Sequence, residues 1–151
     1  MFLSGMLARG RTRVKADRLA SLAGLVRWLP TAIWVGGIFY LSQQSDPPAG
    51  TTTGGEAVLA HLILYTGLAL LLAWALAGGL ANHAGAPAWA LAGVAFALTV
   101  LYGAVDEVHQ AFVPGRSASE ADLALDAAGA ALGVGLALLA PRLLKGRGSR
   151  R

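Results

Sequence analysis

The sequence predicts an all-α, polytopic membrane protein: a bundle of four transmembrane helices with both chain termini in the cytoplasm. Of its 151 residues, 56% are hydrophobic and 13% are charged, which is a membrane composition and not that of a soluble domain. The apolar residues form blocks near the length that crosses a bilayer. The basic residues gather at the two chain ends, as they do in the cytoplasmic flanks of transmembrane helices.

The first apolar segment runs from about Trp28 to Leu41, and it extends back to Leu19 if Arg27 reaches up to the lipid headgroups. A basic N-terminus before an apolar stretch is also typical of a cleaved signal peptide. Because no small-residue cleavage site follows Leu41, we interpret this segment as a retained signal anchor.

Three further segments complete the predicted bundle. The second runs from Ala57 to about Leu80. The third runs from Pro87 to Val105 and begins with a proline, which the first turn of a helix tolerates. The fourth runs from about Leu123 to Ala140. Each is long enough to cross a bilayer, and an even number of spans returns the chain to its starting side.

Charge sets the predicted orientation. Six of the twelve lysines and arginines lie at or before Arg27 and five lie at or after Arg142, which leaves Arg116 alone between them. The two loops predicted to lie outside, 42–56 and 106–122, hold six of the eight acids. Both loops are therefore expected on the extracytoplasmic face. Segregation of charge to the chain ends also argues against a nucleic-acid-binding surface.

The domain organisation follows from the same pattern. Residues 1–24 form a basic cytoplasmic N-terminal segment, residues 25–141 form the four-helix membrane domain, and residues 142–151 form a basic cytoplasmic tail. The chain has no cysteine, which excludes disulfides and thiolate metal ligands but says nothing about compartment.

Polar side chains gather around the outer end of the third segment. At about 100° per residue, Tyr102, Asp106 and His109 fall within about 60° of one another if the helix continues past Val105. Glu107 points elsewhere. These residues would then share one face at one end of the bundle.

The second and fourth segments add polar residues at the same end. His61 and Tyr65 lie one turn apart on one face. Asp122 and Asp126 share a face of the fourth helix, and the small-xxx-small pattern Gly129–Gly133 continues that face, which turns both acids towards the bundle interior. A carboxylate inside a membrane usually faces a partner or water, so Asp126 is the clearest indication of a site.

Depth along the helices predicts two layers of polar residues. The outer layer contains His61, Asp106, His109 and Asp122, and the layer one turn deeper contains Tyr65, Tyr102 and Asp126.

Structural roles remain open for several of these residues. Ser119 to Asp122 fits a capping box, in which the Asp122 carboxylate folds back onto Ser119. His61 is also compatible with a histidine bonded to a backbone carbonyl, and Arg116 with a contact to lipid phosphates. The tyrosines fit interfacial aromatics. Pro114–Gly115 predicts a turn that returns the chain to the fourth helix.

The cluster is compatible with two chemistries. Two histidines with several carboxylates could hold a divalent metal, but no close-spaced motif such as HExxH is present, and the metal stays unknown. A histidine held by an aspartate could instead act as a general acid or base, with Arg116 binding a phosphate or carboxylate. No GxSxG, P-loop or dinucleotide motif occurs, so no soluble-enzyme cofactor is indicated.

The stretch Tyr102–Gly133, YGAVDEVHQAFVPGRSASEADLALDAAGAALG, resembles the signature of the VanZ-like family, in which DExHQ is followed by PGR, a small-residue turn and a glycine-rich helix. HLILY at His61–Tyr65 resembles the HxxxY element of the same family. Asp126 stands where the family often has asparagine.

This resemblance implies a small integral protein of the bacterial cytoplasmic (inner) membrane, active in the cell envelope and linked through the family's namesake to low-level resistance to the glycopeptide teicoplanin. The first hypothesis is a non-enzymatic protein whose outer rim binds a lipid-linked wall precursor or the lipoglycopeptide. The second is a membrane-embedded hydrolase or transferase acting on a polyprenyl-phosphate or lipid-linked precursor, with His109 as acid or base and Asp106 orienting it. A transporter is less well supported, since four spans without an internal repeat offer little for alternating access.

The two hypotheses draw on the same residues, and both leave the oligomeric state open. The candidate catalytic residues are Asp106, His109, His61 and Asp126. The candidate substrate-binding residues are Arg116, Tyr65, Tyr102, Gln110, Glu107 and Asp122.

Overall fold

A computed structural model describes residues 22, 24–45, 54–78 and 86–148, with side chains as far as residue 140. Its described part is all-helical and contains no strand. The helices are α1 (Leu29–Ser42), α2 (Gly54–Leu76), α3 (Ala88–Gln110) and α4 (Glu120–Gly148). Most of the predicted basic N-terminal segment, the last three residues of the basic tail and parts of both loops that flank α2 lie outside the described residues.

The four predicted membrane spans are confirmed. Four helical stretches of 19 to 23 residues are long and apolar enough to cross a membrane, at Gly24–Ser42, Gly54–Leu76, Ala88–Gln110 and Glu120–Ala140. Large apolar side chains such as Ile33 (73% exposed) and Leu101 (61% exposed) cover the outside of the bundle. Such a surface suits lipid and not water.

Several boundaries differ from the prediction, and α4 is the longest exception, since it runs from Glu120 to Gly148 and not from Leu123 to Ala140. α2 ends at Leu76 and not at Leu80, because Gly78 adopts a φ of 92°, the left-handed conformation that closes a helix. α3 continues to Gln110, five residues past the predicted end at Val105. The stretch Asp106–Gln110 is therefore helix and not loop. It can remain helical because its buried polar side chains have partners inside the bundle.

The closest helix pair is α2 with α4, as the predicted small-xxx-small pattern requires. A Cβ atom added at Gly133 would lie 2.5 Å from the Thr66 carbonyl oxygen, and one at Gly129 would lie 3.0 Å from the Leu62 carbonyl oxygen. Thr66 Oγ1 donates a hydrogen bond of 3.0 Å to the Gly129 carbonyl. Glycine at both positions thus lets the two backbones touch.

α1 lies at the edge of the bundle and is held there by a few specific contacts. Trp34 Nε1 donates to the Leu64 carbonyl at 2.8 Å. Its indole ring occupies the space above Gly67, where an added Cβ would lie 2.5 Å from Trp34 Cζ2. Tyr102 Oη donates to the Val35 carbonyl at 3.1 Å, which ties α3 to α1.

Candidate functional site

The polar residues lie at one end of the bundle, which we call the polar end: the end where α1 and α3 finish and where α2 and α4 begin. The connection between α3 and α4, residues 111–119, closes over this end. All ten candidate residues from the sequence belong to α2, α3, α4 or this connection. The structure divides them into two hydrogen-bonded groups, which hold six of the ten, and four residues with other roles.

Asp106 is the centre of the first group. Its side chain is 4% exposed. Its Oδ2 accepts hydrogen bonds from Ser42 Oγ at 2.6 Å, Gln110 Nε2 at 3.2 Å and Tyr65 Oη at 3.4 Å. The other oxygen, Oδ1, is buried and has no hydrogen-bond partner among the described residues. One carboxylate therefore connects α1, α2 and α3 and still has acceptor capacity to spare.

The second group is the pair His61 and Asp126. His61 Nδ1 lies 2.7 Å from Asp126 Oδ1, and Asp126 is fully buried. The His61 ring also stacks on Tyr65, with 6.2 Å between centroids and 3° between planes. The predicted layers were thus wrong in one respect. The sequence predicts Asp126 one turn deeper than His61. In the structure the two side chains are hydrogen-bonded, because each residue lies about two turns from the start of its own helix.

Gly103 makes room for this pair. A Cβ atom at Gly103 would lie 2.8 Å from Asp126 Oδ2 and 3.2 Å from Tyr65 Cε1. Asp126 Oδ2 itself is buried without a hydrogen-bond partner in the described part of the chain. The absence of a side chain on α3 therefore lets an α4 carboxylate sit deep in the bundle beside α2.

His109 does not join either group. Its ring packs against Phe39 of α1, with 4.8 Å between centroids. Its Nε2 is buried and, among the described residues, has no hydrogen-bond partner. The hypothesis that Asp106 orients His109 is therefore not supported by the geometry, since the Asp106 carboxylate bonds to Ser42, Tyr65 and Gln110. His61 is the histidine that a carboxylate holds.

The capping box at the start of α4 is formed in a modified way. Ser119 Oγ accepts the Asp122 amide at 3.2 Å, as an N-cap does. The Ser119 amide, however, donates to Glu107 Oε2 at 2.6 Å, and not to Asp122 as predicted. The correction follows from the longer α3, which brings Glu107 next to the first turn of α4. Glu107 is 5% exposed, so the acid expected to point elsewhere is a buried cap.

The predicted turn at Pro114–Gly115 is confirmed. The Arg116 amide donates to the Val113 carbonyl at 3.0 Å, and Gly115 has a φ of 81°. Proline and then a left-handed glycine at the two central positions define a type II turn. The turn brings Arg116 back over the bundle, where its Nη2 donates to Gln110 Oε1 at 2.7 Å.

A cavity of about 550 Å³ opens at the polar end. It lies between α1, α2, α3, the start of α4 and the Pro114–Gly115 turn. Its polar walls include His61, Tyr65, Asp106, Gln110, Arg116 and Asp122. Four of the ten candidates, Tyr102, Glu107, His109 and Asp126, are not in its wall. Tyr102 and Glu107 instead make the helix contacts described above, and Asp126 lies behind His61.

Ser42 is a site residue that sequence reasoning missed. It lines the cavity and makes the shortest hydrogen bond to Asp106. The available signal was the run SQQS directly after an apolar segment. It was uninformative because polar residues are ordinary at the end of a transmembrane helix, and only the position of α1 beside α3 gives Ser42 a carboxylate to bind.

The geometry also bears on metal binding. Among the residues that the structure describes, no group of three or more histidine, aspartate and glutamate side chains is arranged to hold a metal ion. The acids are spread over separate contacts, since Asp106 bonds to neutral donors, Glu107 caps α4 and Asp126 bonds to His61. The arrangement observed is a polar cavity backed by a histidine–carboxylate pair.

Comparison with known proteins gives one finding. The family model described as VanZ/LLP1 matches residues 28–141, which is most of the chain. No curated protein and no solved structure matches the chain. The matched range contains all four helices that could cross a membrane, except for the first residues of the first one, and it contains the whole polar end.

Proposed function

The chain belongs to the VanZ-like family, and from this premise we propose that its cavity binds the polar headgroup of a lipid-linked wall precursor or a glycopeptide. Binding takes place on the extracytoplasmic face of the bacterial cytoplasmic membrane. By holding the precursor or the drug there, the protein lowers susceptibility to teicoplanin.

The observation that carries this proposal is the cavity itself. It combines a guanidinium, two carboxylates, an imidazole and several hydroxyls at the end of a bundle whose outside is apolar. A lipid headgroup or the polar part of a lipoglycopeptide meets such a surface where the helices leave the bilayer. Polar groups inside a membrane domain are costly unless they serve a partner or a ligand.

The charge distribution supports the extracytoplasmic face. Eleven of the twelve lysines and arginines lie in the two chain ends, while the residues of the polar end carry most of the acids. Basic flanks favour the cytoplasm during insertion. A wall precursor that awaits polymerisation and a glycopeptide are both encountered on the opposite, extracytoplasmic side of the membrane.

One observation favours a second candidate, a hydrolase or transferase acting on a polyprenyl-phosphate or lipid-linked precursor. His61 lines the cavity and its Nδ1 is held by the buried Asp126 at 2.7 Å. A carboxylate that fixes a histidine in this way leaves the other ring nitrogen, Nε2, to exchange a proton with a ligand. In this function His61, and not His109, is the acid or base, and Asp126 is the positioning residue.

The experiment compares teicoplanin and vancomycin susceptibility of one sensitive strain that expresses the wild type or the variants Arg116→Gln and His61→Gln at matched membrane levels. Glu120→Gln is the control, because it removes an exposed acid at the start of α4 that does not line the cavity. Teicoplanin protection by the wild type and the control, lost in Arg116→Gln, supports the proposal. Protection unchanged in Arg116→Gln, or absent in the wild type, contradicts it.

The same variants separate binding from catalysis. If the protein only binds, His61→Gln weakens ligand affinity by about ten-fold or less, the value of one hydrogen bond between uncharged groups. If it is an enzyme, the same change lowers the turnover of purified protein on a lipid-linked precursor by about 100-fold or more, the usual contribution of a general acid or base. Turnover that survives His61→Gln would contradict the catalytic role.

A further inference from the structure

The cavity holds opposite charges that do not neutralise each other. Arg116 donates to the Gln110 side-chain oxygen, and the Gln110 side-chain nitrogen donates to Asp106. The amide of Gln110 therefore stands between the guanidinium and the carboxylate. Within the described part of the chain, Arg116 forms no salt bridge to Asp106 or Asp122, although all three line the same cavity.

Asp106 has an acceptor left for a ligand. Its Oδ2 takes three hydrogen bonds from neutral donors, and none of the described residues donates to its buried Oδ1. Asp106 is 4% exposed and lines the cavity, so its negative charge attracts a donor that occupies the cavity. A hydrogen bond from that donor to Oδ1 would satisfy an oxygen that the described residues leave without a partner. An ammonium group has three donors and a charge of the matching sign.

The Asp122 carboxylate can contact a ligand because another residue, Glu107, caps the start of α4. Because Glu107 accepts the Ser119 amide, the Asp122 carboxylate is not used in the capping box. It lies in the cavity wall with Arg116. Asp126, the remaining acid nearby, is bonded to His61. Among the residues that the structure describes, the cavity therefore presents two carboxylates and one guanidinium that form no salt bridge.

From this arrangement we infer that the cavity selects a zwitterionic ligand, whose ammonium group lies against Asp106 and Asp122 and whose phosphate or carboxylate lies against Arg116. The inference rests on the proposed function and names the class of headgroup. A purely anionic ligand would satisfy Arg116 but face two carboxylates, and a purely cationic one would leave Arg116 unpaired. An amine-bearing phospholipid and an amine-bearing amino-acid or peptide headgroup both have the required chemistry.

The test measures lipid binding to the full-length protein in a neutral detergent by native mass spectrometry. One arm compares phosphatidylethanolamine with N-acetyl-phosphatidylethanolamine of the same acyl chains, which keeps the phosphate and loses the ammonium. The other arm compares Nα-palmitoyl-lysine with Nα-palmitoyl-norleucine, which keeps the carboxylate and loses the ammonium. The arm that shows a preference identifies the source of the anionic group.

Variants assign the preference to the cavity. In the wild type the amine-bearing member of one pair binds about ten-fold more tightly than its partner, since a charge-assisted hydrogen bond is lost in the partner. Asp122→Asn removes most of this preference and tests a carboxylate that no helix contact requires. Asp106→Asn is the second variant. Gln110→Glu would place a carboxylate beside the Arg116 guanidinium. We expect this variant to bind both lipids of the preferred pair more weakly than the wild type does. Glu120→Gln, outside the cavity, keeps the preference.

The outcomes separate the inference from the proposed function. Equal binding of the amine-bearing and amine-free lipids overturns the inference, as does a preference that survives both aspartate variants or the absence of binding by all four lipids. The proposed function survives each of these results if a lipid-linked precursor or teicoplanin still binds and if Arg116→Gln weakens that binding. The proposed function fails separately, if Arg116→Gln leaves that binding and the drug protection unchanged.

Discussion

Asp126 shows how a buried carboxylate is kept in the interior of this bundle. It is fully buried, and among the described residues only one of its oxygens has a hydrogen-bond partner, the Nδ1 atom of His61. A buried polar group is stabilised by its hydrogen bonds, and the loss of one partner leaves the other uncompensated. The stability of this end of the bundle therefore depends on the pair and not on either residue alone.

This pairing predicts the effect of two substitutions. Asp126→Ala should lower the free energy of unfolding by about 3 kcal/mol, because it leaves His61 beside a cavity with no acceptor. Asp126→Asn should cost less than half of that, because its side-chain oxygen still accepts from His61. Thermal unfolding of the purified protein in detergent measures both. Equal losses in the two variants would mean that charge, and not the hydrogen bond, stabilises the pair.

Gly103 gives a second prediction at this scale. Gly103→Ala should destabilise the protein by about 1–3 kcal/mol, because the new methyl group would lie 2.8 Å from Asp126 Oδ2. Gly93→Ala on the same helix is the matched control, since nothing lies within 4 Å of the added Cβ. It should leave stability unchanged or raise it slightly. If the two variants unfold at the same temperature, the close approach of α3 and α4 at Gly103 is not required.

At the scale of the helices, α2 and α4 form the central pair on which the site is built. Their backbones meet at Gly129 and Gly133, and this contact sets the distance between His61 and Asp126, one or two turns away. α3 adds Asp106 and Gln110 from its last turns, and α1 contributes one polar side chain, Ser42, beside the apolar Ile38 and Leu41. The site thus depends on the contact between α2 and α4 more than on the position of α1.

Gly133→Ala tests this dependence. Its Cβ would lie 2.5 Å from the Thr66 carbonyl and 2.7 Å from Ala69 Cβ, so α4 must move away from α2. We expect a loss of about 1–3 kcal/mol in the free energy of unfolding, together with loss of ligand binding, although Gly133 touches no part of the cavity. The control is Gly135→Ala, where the added Cβ meets nothing within 4 Å. Normal ligand binding by Gly133→Ala would separate the site from the α2–α4 contact.

At the scale of the whole molecule, the distribution of charge predicts the orientation in the membrane. The residues that line the cavity lie at the end of the bundle opposite to Gly24, where the first span begins, and to Ala140, where the fourth span ends. In the sequence, most of the basic residues precede the first of these points or follow the second. From the positive-inside rule we therefore expect the polar end outside the cytoplasm.

Because the chain contains no cysteine, single introduced cysteines can report this orientation. Ala118→Cys lies in the exposed connection between α3 and α4, and Ala86→Cys lies at an exposed position just before α3, at the opposite end. A membrane-impermeant maleimide added to intact cells should label Ala118→Cys and should label Ala86→Cys only after permeabilisation. The reverse pattern would place the cavity in the cytoplasm and contradict the proposed encounter with wall precursors.

The polar residues themselves could be found from the sequence, but several of their roles could not. Helical spacing and apolar context predicted that Asp122 and Asp126 face the bundle interior and that His61 and Asp106 lie at the same end of the bundle. The same reasoning matched Asp106 with His109, because the two lie three residues apart on one helix. In the structure His109 packs against Phe39 of α1, and His61 bonds Asp126 of α4. Which of these two histidines meets a carboxylate depends on how the helices are rotated against one another.

The sequence by itself determined the helical class, the four spans, the turn at Pro114–Gly115 and the small-residue contact on α4. These depend on hydropathy, turn chemistry and residue size over short windows of the chain. Only the tertiary structure decided that His61 bonds Asp126, that Ser42 and Tyr65 bond Asp106, and that Glu107 caps α4. The first three contacts join residues 65, 64 and 41 positions apart. Such contacts are set by helix depth and rotation and by side-chain reach, which no local window of sequence contains.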